Sequence, residues 1–213
     1  MAYVGKQRIE LPPDFFLGGF DSEGEMTVIQ RTNECVELDG GVLGRLGFEW
    51  IGDRYLHRWH FGSQSQPVLE SIESDHSLHW PVSPPLQQVY RQTFDDGRDV
   101  MFGIGMAGRG HWSVSFTLVP DLNCWVVELA CRSTSEPQRL CSSYRLSDSW
   151  KPVDAQTDQS LSACELPEFG LRLEPLSILS RLEFSGTELQ VLPDQIPSGT
   201  MTVQWGFRLR VAS

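Results

Sequence analysis

The sequence predicts an all-β protein built from antiparallel sheets, and two observations indicate this fold class. First, several stretches alternate apolar and polar residues, as in 111–118, where Trp112, Val114, Phe116 and Leu118 share one face. Second, these stretches are separated by short turns rich in Gly, Pro, Asp and Asn, and no long helical pattern interrupts them. The predicted architecture is therefore a two-sheet, jelly-roll-like sandwich with few or no helices, and the alternative is a closed β-barrel.

The length and composition favour a single β domain over residues 1–213. All-β sandwiches of this length are often one domain, and 40% hydrophobic residues are enough for a substantial core. We expect an irregular N-terminal segment at 1–23, where Leu11-Pro12-Pro13 interrupts regular structure. We also expect a mobile surface loop at 147–168, which is rich in Ser, Asp, Gln and Pro.

Residues 26–131 contain most of the expected strands. They cover residues 26–32, 35–38, 42–51, 55–61, 86–94, 100–106, 111–118 and 125–131. Hairpin turns are indicated at Gly40-Gly41 and at Asp96-Gly97. Residues 62–85 form a long polar loop marked by prolines. The stretch 86–94 also fits a short helix with Pro84-Pro85 in its first turn, but the hairpin signal that follows favours a strand.

The remaining expected strands lie after residue 138, and the last of them is expected to be central. The expected strands cover 139–146, 171–173, 178–184, 189–192 and 201–211. In the last of these, Val203, Trp205, Phe207 and Leu209 share one face while polar residues occupy the other. A long amphipathic strand of this kind is expected near the middle of a sheet.

The charge pattern excludes several classes of partner. The net charge is −11, and only Lys6 and Lys151 are lysines, so we expect no binding to nucleic acid or to an anionic membrane surface. No apolar stretch reaches the roughly 18 residues of a membrane span, and the N-terminus lacks the apolar run of a signal peptide. The five cysteines show no CxxC spacing, which is typical of reduced thiols in a cytoplasmic protein.

One glycine motif matches a nucleotide-binding pattern only superficially. Gly103-x-Gly105-x-x-Gly108 has the spacing of a dinucleotide fingerprint, but a strand follows it where that fingerprint requires a helix. A kinase-type glycine loop needs a lysine on the next strand, and none lies between Lys6 and Lys151. The small residues are better explained by a bend, a bulge or the close packing of another element, so no nucleotide is expected.

The five histidines all lie between His57 and His111. His57 and His60 are three residues apart on an expected strand, which places them on opposite faces. His76, His79 and His111 are the candidate metal ligands, with zinc or iron as the metal that they would hold. The alternative is that these are surface histidines that bind no metal.

Tryptophan and arginine side chains near the long loop indicate a polar-aromatic cleft. The expected cleft is built from the strand at 54–61, the loop at 70–85 and the turn at 108–112, and it suits a small polar or carbohydrate-like ligand. The candidate ligand-binding residues are Arg58, Trp59, His60, Trp80 and Arg109. The competing interpretation is that the tryptophans pack in the core and that the arginines are solvated strand-edge charges.

Three functional hypotheses follow from these patterns. The first is a soluble, non-catalytic binding or interaction protein that uses this cleft. The second is a metal-dependent enzyme on a cupin-like or barrel scaffold that uses the clustered histidines. The third is a structural subunit that forms a homodimer or a larger homo-oligomer.

Overall fold

In the part of the chain that the structure describes, two antiparallel sheets of eight strands each pack face to face, with a separate two-stranded sheet near the N-terminus. The computed structural model describes residues 2–4, 7–9, 36–63, 65–74, 79–153, 160–176, 179–196, 198 and 202–211. No helix among these residues is long and apolar enough to span a bilayer.

The strands are numbered in chain order. The strands up to residue 133 are β1 (Ala2–Val4), β2 (Gln7–Ile9), β3 (Val36–Asp39), β4 (Arg45–Trp50), β5 (Tyr55–His60), β6 (Leu69–Ser71), β7 (Gln88–Thr93), β8 (Asp99–Ala107), β9 (Gly110–Val119) and β10 (Cys124–Ser133). Those that follow are β11 (Ser142–Leu146), β12 (Lys151–Val153), β13 (Ser160–Leu161), β14 (Ala163–Leu166), β15 (Leu171–Pro175), β16 (Ser180–Ser185), β17 (Glu188–Pro193) and β18 (Thr202–Val211). Short 3₁₀ turns occupy Gly41–Leu43, Pro120–Leu122 and Pro167–Phe169.

Each sheet joins a four-stranded meander to strands from the part of the chain after β10. Sheet I has the order β13-β16-β17-β11-β6-β5-β4-β3, and sheet II has the order β12-β14-β15-β18-β10-β9-β8-β7. In the described part of the chain both sheets end in edge strands, so neither closes on itself. The predicted two-sheet sandwich is confirmed, and the closed barrel is wrong.

The period of two in the sequence explains how the sheets meet. On β9 the buried Trp112, Val114 and Phe116 alternate with residues on the outer face. On β18 the fully buried Phe207 and Leu209 come from the amphipathic pattern that predicted a central strand, and β18 does lie between β10 and β15. Burial of these side chains between the sheets removes a large apolar area from water.

The structure describes short strands within three segments where the sequence analysis expected irregular chain or loops. The segment at 1–23 contains the paired strands β1 and β2, and its residues 10–23 lie outside the described residues, as does the strand expected at 26–32. The loop expected at 147–168 contains β12, β13 and β14, because short strands leave too few residues for a visible period of two. For the same reason the loop expected at 62–85 conceals the three-residue strand β6.

Candidate functional site

The glycines of β8 form a groove that accepts the chain at residues 85–87. These residues end the stretch 79–87, which we call the crossover segment. A Cβ atom at Gly105 would overlap the carbonyl oxygen of Pro85, and one at Gly103 would lie 2.9 Å from the Cδ atoms of Leu86. Only glycine allows so close an approach. The glycine motif is therefore a packing device, as the sequence analysis expected.

The crossover segment bridges the two sheets through backbone hydrogen bonds. The N–H of Tyr55, at the start of β5, donates to the carbonyl oxygen of Leu86 at 2.7 Å. The N–H of Gln87 donates to the carbonyl oxygen of Ile104 on β8 at 2.8 Å. The segment is thus fixed to sheet I on one side and to sheet II on the other.

Serine hydroxyls hold residues 82 and 83, which follow His79 and Trp80 in the crossover segment. The N–H of Val82 donates to Ser74 Oγ at 2.6 Å. The N–H of Ser143 on β11 donates to Ser83 Oγ at 3.0 Å, and the Ser83 hydroxyl donates to the carbonyl oxygen of Ser143 at 3.1 Å. These contacts position His79 and Trp80 at one end of the sandwich.

The turn between β8 and β9 lies beside His79. Ala107 pairs with Gly110, so the loop consists of Gly108 and Arg109 alone. Gly108 has a φ of 55°, and a Cβ atom there would lie 3.0 Å from the Cβ of His79. A two-residue hairpin with glycine first and positive φ matches a type II′ turn, which orients Arg109 outward.

A cleft of about 460 Å³ opens where the crossover segment, this turn and the chain after β10 meet. The Trp80 ring is half-buried and packs against the core. Arg109, Glu136 and Gln138 are exposed at the rim. The lining residues are His79, Trp80, Gly108, Arg109, Ser135, Glu136 and Gln138. We call this the end cleft.

The end cleft includes two of the five residues expected to bind ligand. Trp80 and Arg109 line it, whereas Arg58, Trp59 and His60 do not. Arg58 lies on the outer face of sheet I and pairs with Glu70 and Glu49.

The other two candidate residues on β5 also do not line the end cleft. His60 shares the outer face with Arg58, and burial, then the nearby Arg45, lower its pKa. Trp59 points the opposite way, is 0% exposed, and its ring packs on those of Phe116 and Tyr144. A strand alternates its faces, so Trp59 cannot share a surface with its two neighbours, and we leave all three out of the end cleft.

The three candidate metal ligands are not all placed. His79 lines the end cleft, but His111 lies exposed on the outer face of sheet II, opposite Arg132 on β10. His76 lies outside the described residues. Within the ranges that the structure describes, no three His, Cys, Asp or Glu side chains come together as a metal site. Zinc or iron binding by His76, His79 and His111 stays a prediction.

Comparisons with known proteins add nothing to this geometry. No protein-family model, no curated protein and no solved structure matches the chain.

The sequence analysis missed the contribution of the chain after β10, namely Ser135, Glu136 and Gln138. A signal for it was present. The turn at Pro120–Leu122 makes β9 and β10 neighbours, and their equal lengths place Ser133 opposite Gly110. Residues that follow Ser133 must therefore emerge beside the turn at 108–109.

A buried polar network lies near the serine contacts that hold the crossover segment. The backbone N–H of His57 donates to Ser71 Oγ at 3.0 Å, and the Ser71 hydroxyl donates to Glu73 Oε1 at 2.7 Å. The ring nitrogen Nε2 of His57 lies 3.2 Å from the Tyr144 hydroxyl, and the Ser142 hydroxyl donates to that same oxygen at 3.0 Å. These polar groups lie inside an apolar core, where unmet hydrogen bonds destabilise the fold.

Burial shifts the titration of this network. It raises the pKa of Glu73 to about 7 and lowers the pKa of His57 to about 3. Both groups are therefore neutral in the folded protein between these values. In an apolar surrounding the uncharged forms are favoured because desolvation penalises charge.

Replacing Glu73 with glutamine is expected to change how stability depends on pH. Between the unfolded pKa of 4.5 and the folded value of about 7, the folded chain binds a proton at Glu73 that the unfolded chain lacks. This stabilisation is complete below 4.5 and is lost as the pH rises through 7. Relative to the wild type, the variant should gain about 3 kcal/mol between pH 4.5 and pH 8.

Urea unfolding of both proteins at pH 4.5, 6 and 8 measures this difference. A difference that stays constant across the three pH values would show that Glu73 titrates normally. The comparison is internal, so other titrating groups cancel unless they contact residue 73.

Proposed function

We propose that the protein is a non-catalytic binding protein whose end cleft takes a small polar, carbohydrate-like ligand. The observation that supports this most is the meeting of an aromatic ring, Trp80, with the charged and amide groups of Arg109, Glu136 and Gln138 in one concave site. Sugars present apolar ring faces and many hydroxyls, so a ring beside such groups suits both sides of their chemistry.

The size and rigidity of the end cleft also support binding of a small ligand. A volume of about 460 Å³ lies within the usual range of small-molecule sites. The walls are fixed by the hydrogen bonds of Ser74 and Ser83 and by the two-residue turn at Gly108-Arg109. A site formed before binding loses less conformational entropy when the ligand enters.

The free cysteines support a cytoplasmic setting for this function. In the described part of the chain Cys124, Cys131, Cys141 and Cys164 are buried and unpaired. Unpaired cysteines are typical of proteins in a reducing compartment, where disulfides are rare.

Replacing Trp80 with alanine is expected to abolish most of the binding. A glycan array of neutral and acidic saccharides identifies the ligand, and calorimetry then measures its affinity for wild type and variant. Loss of a central aromatic contact should weaken binding by about 30-fold, because such residues contribute about 2 kcal/mol or more.

Trp50→Ala is the matched control, since Trp50 is also half-buried but packs on Tyr55 outside the end cleft. It should retain wild-type affinity. The proposal is wrong if no saccharide is retained on the array, or if the two tryptophan variants lose affinity equally.

A further inference from the structure

We infer that the ligand of the end cleft carries a carboxylate, which Arg109 binds, so that the ligand class is an acidic saccharide such as a uronate. This inference rests on the proposed function and names the chemistry of its ligand. The observation behind it is that most arginines have a carboxylate partner, whereas Arg109 has none among the described residues.

Most arginines on the sheets and in their turns are paired with carboxylates. Arg98 contacts Asp96 at 2.7 Å, Arg172 contacts Glu165 at 2.6 Å and Arg210 contacts Glu174 at 3.1 Å. Arg109 differs from them: within the described ranges no carboxylate lies within 4 Å of its guanidinium. On a chain with a net charge of −11, an arginine at a cleft without a carboxylate partner is available to an anion from solution.

The acidic residue of the end cleft leaves Arg109 free. Glu136 lines the same cleft, yet the two side chains form no ion pair. Arg109 and Glu136 both line the cleft without neutralising each other, so the cleft suits a ligand that carries both a carboxylate and hydroxyl groups. The guanidinium matches a carboxylate, while Glu136 and Gln138 accept and donate hydrogen bonds to hydroxyls.

The charge next to the turn strengthens the attraction. Arg132 on β10 is the cross-strand neighbour of His111 on β9, one residue beyond Gly110. Arg132 is exposed and, like Arg109, has no carboxylate within 4 Å among the described residues. Arg109 in the turn and Arg132 on the neighbouring strand both add positive potential at this end of the sandwich.

The backbone at Arg109 is fixed before any ligand arrives. The turn has only two residues, and Ala107 and Gly110 are paired on either side of it. Gly108 is in turn packed against His79. The fixed backbone removes one part of the ordering cost of binding, and the planar guanidinium matches a planar carboxylate in a bidentate way.

The test compares trigalacturonate with its fully methyl-esterified form, using calorimetry on the full chain at low salt. The two probes share the same sugar rings and differ in charge. The wild type should bind the acid at least about tenfold more tightly than the ester. Arg109→Gln should reduce affinity for the acid by about tenfold or more and leave that for the ester unchanged.

The control variant is Arg98→Gln, which removes the same charge from the turn at the other end of β8. It should bind both probes as the wild type does. If the wild type binds acid and ester equally, this inference is wrong but the proposed function stands. The same conclusion follows if Arg109→Gln and Arg98→Gln lose affinity for the acid equally. Binding of neither probe overturns the inference, and failure of the whole glycan array separately overturns the proposed function.

Discussion

Replacing Gly105 with alanine is expected to lower the free energy of unfolding by about 3 kcal/mol, near the upper end of the usual cost of overpacking a core. The added Cβ would overlap the carbonyl oxygen of Pro85 and lie 2.8 Å from its carbonyl carbon. Backbone atoms cannot rotate away as a side chain does, and residues 86 and 87 are hydrogen-bonded to both sheets. The crossover segment must therefore shift as a unit or lose those bonds.

Gly103→Ala is the matched control for this prediction. Gly103 lies two residues away on the same face of β8, but its new Cβ would meet the Cδ atoms of Leu86. The end of a leucine side chain can change rotamer, so this variant should cost about 1 kcal/mol or less. Urea unfolding of the two variants measures the difference, and similar losses would contradict the assignment of Gly105 as the residue that accepts the crossover backbone.

Acidification is expected to remove about 3 kcal/mol of stability through His57 as the pH falls from 6.5 to 4. Burial lowers the pKa of His57 to about 3, whereas the unfolded chain takes up its proton near 6.5. The unfolded state thus binds more protons between these values. The stabilisation is complete above 6.5 and is lost as the pH falls toward 3.

The His57→Phe variant isolates this effect. It keeps a ring among Phe48, Trp59 and Phe116 but removes the titrating group. The difference in free energy of unfolding between wild type and variant should change by about 1.4 kcal/mol per pH unit over this window. Tyr144→Phe is the control, because it removes a hydrogen bond to His57 but leaves the histidine buried, so the pH dependence should persist. A pH-independent difference for His57→Phe would contradict the assignment.

Much of the sheet structure was predictable because it depends on local patterns. The alternation on β9 and β18 predicted their buried faces, and Asp96-Gly97 predicted the hairpin between β7 and β8. Strands of two to four residues, such as β6 and β13, were not predictable in this way. Their pairing is decided by partners distant in sequence rather than by their own residues.

The end cleft was predictable only in part for a related reason. Trp80 and Arg109 were predicted correctly because Trp80 lies in a loop and Arg109 lies in a turn. Loops and turns lie at the ends of strands, where clefts form. Arg58, Trp59 and His60 were grouped with them by proximity in sequence, although successive residues of β5 face opposite sides of sheet I. The three-dimensional grouping also depends on the crossover segment, whose path is set by the glycine groove.

The central claim is that the crossover segment, the turn at Gly108-Arg109 and the chain after β10 together form one binding site. Nuclear magnetic resonance mapping of the isotope-labelled chain, titrated with trigalacturonate, tests this most directly. The indole N–H of Trp80, the guanidinium N–H of Arg109 and the side-chain amide of Gln138 should shift together with one saturation curve. Shifts confined to Arg58 and His60 on the outer face of sheet I, with the end cleft unchanged, would contradict the account.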